Sequence, residues 1–332
     1  MHMSDALLSP TVGLTMCAVS AGALAVSAAR VQRSQLTRQK LPMRAVGGAF
    51  VFTAQMINFT IPGTGSSGHI GGGILLAALL GGGPALLTIS AVLAIQCLLF
   101  ADGGILALGC NIWNMAFYGC FLGALLIWKP MMKKGMSRGK IILASILGCV
   151  LTLQLGAFSV TVETLASGIT ALPFVTFVAT MQPIHLAIGF VEGLITAAVL
   201  VFVYEARPEI LFASETVKEE KARFSFKKTM VILAVAAVVI AGAMSLVASS
   251  NPDGLEWSIE KITGSTEVEN EGSVYDTAEA IQETTAVLPD YAFKNSDSAL
   301  GTSFSGIIGG LVVVGVCVGA CYAFKFFKKK ES

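Results

Sequence analysis

Residues Pro183–Tyr204 read PIHLAIGFVEGLITAAVLVFVY, a run with no Lys or Arg, one imidazole (His185) and one carboxylate (Glu192). Wound as a helix, this stretch would extend about 33 Å, which matches the roughly 30 Å hydrocarbon core of a bilayer. The rest of the chain has the same character. Of its 332 residues 54% are hydrophobic and 13% charged, with a mean hydropathy of +0.75. Soluble domains carry about 25% charged residues, so the composition excludes an ordinary soluble domain. Similar apolar stretches run near 9–29, 84–100, 105–128, 141–161, 229–248 and 305–324. Two others, 45–59 and 70–83, are shorter and need protein neighbours to satisfy their backbone. The expected fold is all-α: a polytopic membrane helical bundle.

The basic residues orient it. Five of the 22 Lys and Arg fall in 30–44, five in 129–140, six in 205–228 and four in 325–330. The positive-inside rule assigns all four segments to the cytoplasm, which makes the C-terminus cytoplasmic. The remaining two, Lys261 and Lys294, lie in 249–303 beside eleven Asp and Glu, and this acidic loop belongs outside. The N-terminus and the loop 60–70 are then extracytoplasmic as well. Nine crossings complete the count. Residues 70–100 either cross as a pair or form a re-entrant hairpin around Gly81-Gly82-Gly83-Pro84. Residues 162–182, with Pro173 and Pro183 nearby, are expected outside or partly dipping in. Residues 1–8 hold no Lys or Arg, whereas a signal peptide opens on a basic region, so the first span is expected to stay uncleaved.

The organisation follows: a seven-helix unit over 1–204, a charged cytoplasmic linker over 205–228, and a two-span hairpin over 229–332 with its outer loop at 249–303. Beyond its first ten residues that loop, rich in Ser, Thr, Gly and acids, is expected to be weakly structured.

The chain holds three His, at 2, 69 and 185. A free chain start followed by His can chelate one metal through the Met1 amine, the deprotonated His2 backbone nitrogen and the His2 Nδ1. A second imidazole would complete a four-nitrogen square of the kind Ni(II) and Cu(II) favour. Topology puts Met1, His2 and His69 on one outer face. His69 sits in a permissive Gly-rich run, Gly63 to Gly73. Gln55 and Asn58, in an otherwise apolar span, either bond the inserted N-terminus or hold helices together. Glu192 is the sole acid expected inside a span, and with His185 it lies about 10.5 Å along one helix face. That pair is either structural or a coupling element. The seven Cys show no C-x-x-C spacing and the twelve Met no M-x-x-M pattern, so packing accounts for both. No nucleotide-binding or hydrolytic motif is visible, so the chain is not expected to be an enzyme.

Several runs together resemble a known family: Met1-His2, Ala54-Gln55-Met56-Ile57-Asn58-Phe59, Ser67-Gly68-His69, and His185 with Glu192-Gly193-Leu194-Ile195-Thr196. They are similar to the substrate-capture (CbiM/NikM) components of cobalt/nickel energy-coupling-factor transporters. The stretch Pro252-Asp253-Gly254-Leu255-Glu256 resembles the PDGLE motif of the small N component, fused here at the C-terminus. One departure is that Asp5 is followed by Ala6, where many members carry Gly. The resemblance implies seven helices with the N-terminus inserted from outside, and metal held by Met1, His2 and His69. It implies no cofactor, Ni2+ or Co2+ as transported ligand, and partners comprising a transmembrane coupling subunit and a cytoplasmic ATPase pair. The residues alone leave two other readings open. One is a self-contained ion-coupled cation transporter using His185 and Glu192; the other is a membrane scaffold that recruits a partner through its acidic loop.

Overall fold

The computed structural model describes residues 1–33, 40–212, 223–294, 296, 298 and 300–330. Arg38 and the centre of the 205–228 linker lie outside the described residues. Eight long helices organise the chain: α1 (Pro10–Arg33), α2 (Lys40–Gln55), α4 (Gly82–Phe100), α5 (Leu108–Met132), α6 (Arg138–Ser167), α7 (Phe174–Ala206), α8 (Phe226–Gly242) and α11 (Leu300–Lys330). Shorter elements are α3 (Gly73–Leu80), α9 (Gly254–Thr263), α10 (Ser273–Thr285) and a hairpin of β1 (Phe59–Ile61) with β2 (Ser66–Gly68). Among the described residues six helices are long and apolar enough to cross a membrane, so the protein is a multi-pass membrane bundle. Helices α2 and α8, with 16 and 17 residues, reach about 25 Å. The anticipated span 45–59 thus begins earlier and stops at Gln55, because the chain turns into β1 at Phe59.

The segment 70–100 turns at Gly81. Phe212, just beyond Arg207, donates its backbone N–H to the Ala78 carbonyl at 2.6 Å, and the Trp128 indole N–H reaches the Phe212 carbonyl at 3.0 Å. The turn therefore lies at the end that carries the basic segments 129–140 and 205–228, and α4 runs back through the bundle. Helix α3 has only 8 residues, all buried, about 12 Å of rise. The rest of that passage is hairpin and Gly-rich backbone, which a membrane protein admits only where protein surrounds it. Close approach makes room for it: a Cβ on Gly73 would stand 2.7 Å from the Gly119 Cα, so α3 lies backbone to backbone against α5.

Residues 162–182 are mostly helical, because α6 continues to Ser167 and α7 starts at Phe174 with Pro183 inside it. Two expectations change. Glu192 is not the sole acid inside a span: Glu163 is buried in α6, where Asn114 Nδ2 donates to it at 2.7 Å. The loop 249–303 is structured well beyond its first ten residues, through α10 and a tight turn at Pro289–Tyr291. Few of its apolar side chains are buried, so composition alone reads as disorder. Its order comes from polar side chains that bond the bundle's backbone. Tyr275 Oη donates to the Leu8 carbonyl at 2.9 Å, and Gln282 Nε2 to those of Gly103 and Cys97 at 2.8 and 3.0 Å.

Candidate metal-capture site

The chain start is pulled inside by its own apolar side chains: Met1, Met3, Leu7 and Leu8 are all buried. Burying a strand end obliges its backbone groups to find partners. The Asn111 side-chain amide supplies two, accepting from Met3 N at 2.8 Å and donating to the Met3 carbonyl at 3.1 Å. Gly104 N adds a bond to the same carbonyl at 2.9 Å. Asp5 accepts from Ala107 N at 2.9 Å and Ile105 N at 3.2 Å. The approach is so close that a Cβ on Gly104 would fall 1.8 Å from an Asp5 carboxylate oxygen. Whatever follows Asp5, the carboxylate itself is engaged.

His69 arrives from the opposite direction, one residue after β2. The hairpin pairs Phe59 with Gly68 and Ile61 with Ser66, and β2 is wholly buried. The His69 Nδ1 is 3.2 Å from the Ile70 carbonyl. That partner requires N–H at Nδ1 and leaves the Nε2 lone pair free, the arrangement a ligating imidazole needs. The Met1 amine lies 2.9 Å from this Nε2. Two nitrogens each about 2.0 Å from one ion and at right angles would be about 2.8 Å apart, so this edge of a square already has the right length. The His2 ring stacks on His69 with centroids 5.2 Å apart.

The remaining edge is not formed. His2 Nδ1 is 3.0 Å from the Asp102 carboxylate, which also accepts from Tyr291 Oη at 2.5 Å. The Met1 amine bonds the Asp253 carboxylate, whose Oδ2 lies 4.0 Å from His69 Nε2. A square of Met1, His2 and His69 nitrogens would close only when the His2 ring turns away from Asp102; a metal-bound amine keeps two N–H groups and can still donate to Asp253. The imidazoles need no change of charge. Burial, then the positive chain end beside them, lowers both His2 and His69 to about 3, so each is neutral at physiological pH, the form that binds metal. Burial alone would raise Asp253, but the chain-terminal ammonium that it bonds holds it below the ordinary carboxylate range.

The other sequence candidates support the loop instead of meeting the chain end. Gln55 Nε2 donates to the Gly71 carbonyl at 2.8 Å, and Glu192 Oε1 accepts from Gly72 N at 2.9 Å. Two elements thus grip the Gly-rich turn that follows His69. The Asn58 carbonyl accepts from Ser249 N at 2.8 Å. His185 bonds the Met181 carbonyl through Nδ1 at 2.7 Å. It shares with Met1, His69, Glu192, Asp253 and Gly254 a cavity of about 30 Å³.

Sequence reasoning missed Asn111, Asp102, Asp253 and Tyr291 as neighbours of the site. Asp253 had a readable signal: with Glu256 three residues on it forms a capping box, accepting from Leu255 N and Glu256 N while Glu256 accepts from Asp253 N. The cap fixes its backbone, but nothing local says that its second oxygen meets residue 1. The docking does that. Ser67 N and Oγ donate to the Pro252 and Asn251 carbonyls, each at 2.8 Å, and the Trp257 indole reaches the Thr64 carbonyl at 3.0 Å.

Comparison with known proteins agrees with this architecture. Residues 2–210 match the CbiM family model, described as a cobalt uptake substrate-specific transmembrane region, and residues 227–326 match the PDGLE domain. A putative fused nickel transport protein NikMN of Archaeoglobus fulgidus is 32% identical over 318 residues, covering 95% of this chain and 96% of the relative. The fused nickel transport protein NikMN of Rhodobacter capsulatus is 31% identical, covering 79% of this chain and 77% of its own. A crystal structure of a truncated transition metal transporter superposes with a TM-score of 0.55 at 33% identity, covering 62% of this chain and 99% of that one. The chain belongs to the CbiM family, in the fused form that carries a PDGLE domain behind the CbiM region.

Proposed function

We propose that this chain is the substrate-binding membrane subunit of an ATP-driven importer of divalent nickel or cobalt. It captures the ion on the outer face through the Met1 amine, the His2 backbone nitrogen and Nδ1, and His69 Nε2. The observation that carries this reading is the 2.9 Å separation of a buried chain-terminal amine and the free nitrogen of a buried imidazole. Residues 1–204 form the capture unit, 205–228 a cytoplasmic linker and 229–332 the fused hairpin. The chain hydrolyses no ATP itself; a transmembrane coupling subunit and a cytoplasmic ATPase pair supply that step. Four nitrogens in a plane suit Ni(II), and Co(II) is the companion substrate.

X-ray absorption on Ni2+-loaded protein with an authentic N-terminus should report four nitrogen neighbours, falling to three in His69→Ala. An oxygen-dominated shell would overturn the reading. Uptake into cells should need the coupling and ATPase subunits; transport by the chain alone, lost in Glu192→Gln, would favour an ion-coupled transporter.

A further inference from the structure

Helix α3 reads GILLAALL behind its N-cap Gly72, so no side chain of its own can accept from its first backbone N–H groups. Glu192 supplies an acceptor from α7: its Oε1 takes the Gly72 N–H at 2.9 Å. The acidic member of a capping box makes this bond within one helix; here it is made between two. Glu192 is 4% exposed, and an acid buried in a span is costly without such a partner. The bond reaches beyond the helix end. The Gly72 N–H and the Gly71 carbonyl are the two polar ends of one planar peptide, and Gln55 Nε2 holds the carbonyl end at 2.8 Å. The plane is thus clamped between α2 and α7. Gly72 sits at φ 73°, and a Cβ there would stand 2.6 Å from a Val51 methyl, so protein closes it in on a third side. His69 lies between this clamp and the β1–β2 pairing that ends at Gly68. The Ile70 carbonyl, which fixes the His69 ring through Nδ1, belongs to the same short stretch.

We propose that Glu192 is a positioning residue for metal capture: by clamping the Gly71–Gly72 peptide it holds His69 Nε2 towards the Met1 amine. It rests on the capture reading above for what His69 binds. Groups that orient a ligating imidazole are worth about 10–100-fold in metal affinity. Glu192 acts one step further out, on the backbone that carries the imidazole's own partner, which places its effect at the lower end of that range. The role needs an acceptor at Oε1 and nothing more. An ion relay through the same side chain would need a group that takes up and releases a proton or cation, and the amide of Gln does neither. The two roles therefore part at Glu192→Gln.

The test titrates full-length protein with Ni2+ against a competing chelator and follows the visible band of planar Ni(II). Glu192→Leu keeps the bulk and removes the acceptor; it should weaken Ni2+ about tenfold and shift the band. Glu192→Gln should restore most of the affinity and the wild-type band. Phe212→Ala is the control for mere loosening of α3, because it strips the ring that packs on Gly81 at the helix's other end. It should lower the thermal midpoint while affinity and band stay at wild type. Wild-type affinity and band in Glu192→Leu would overturn the proposal. So would a Glu192→Gln chain no better than Glu192→Leu, or an equal loss in Phe212→Ala. If Glu192→Leu fails to accumulate in the membrane, Gln55→Leu decides, since it frees the other end of the same peptide. A loss of about fivefold is expected there, and unchanged affinity would sink the clamp. X-ray absorption keeps the two readings apart: an oxygen-dominated Ni2+ shell in the unaltered chain overturns both, whereas a nitrogen shell with affinity untouched by Glu192→Leu overturns this one alone.

Discussion

Two segments meet at the site and are held in opposite ways. Residues 1–8 are fixed by buried apolar side chains and by bonds to a buried amide, Asn111. The segment beyond Gly264 lies against the same residues but buries little apolar surface; hydrogen bonds from Tyr275, Gln282 and Tyr291 tether it. The buried residues of the first, Met1, Met3, Leu7 and Leu8, have no solvent to turn to. The second exchanges its bonds for water at small net cost, about 1 kcal/mol each. Under the proposed capture reading the chain end is part of the binding site, and the segment beyond Gly264 rests against it.

Substitutions can break this contrast. Asn111→Ala strands the buried Met3 N–H and removes a donor from its carbonyl, at about 3 kcal/mol. It should lower the thermal midpoint and release bound metal together. Gly104→Ala drives a methyl into Asp5 and should cost about 2 kcal/mol, with a weaker loss of metal read by equilibrium titration. Replacing 265–299 by a short flexible linker should leave Ni2+ content at saturation intact, because no square ligand lies there; loss of all binding would mean that the segment is integral to the site. Tyr291→Phe should be the mildest, about 1 kcal/mol. It frees one Asp102 oxygen, leaves metal content unchanged and is measurable as a small shift in thermal midpoint.

The helical bundle was legible because apolar runs such as 183–204 and 141–161 are unambiguous at membrane length. Where polarity and helix end part company, reading by composition fails: Pro183 sits inside α7, and α6 runs past the apolar stretch 141–161 to carry the buried Glu163. The site was half legible. Met1, His2 and His69 carry a distinctive donor chemistry, and topology alone brought them to one face. Asn111 and Asp102 gave no such signal, since an amide in a helix and an acid at a span end are common, and only the tertiary course of residues 1–5 makes them neighbours. The outer segment misled for a physical reason. Its order rests on side-chain to backbone bonds with the bundle, which leave no periodic trace in sequence.

The central claim is that the ligand is the free chain end itself, so its position matters more than any side chain. The most direct measurement is bound Ni2+ per chain in purified protein with an authentic N-terminus, compared with a variant carrying one Ala inserted between Met1 and His2. The account predicts one ion per chain in the first and none in the second, with both folded in the membrane. Equal metal in both would contradict it.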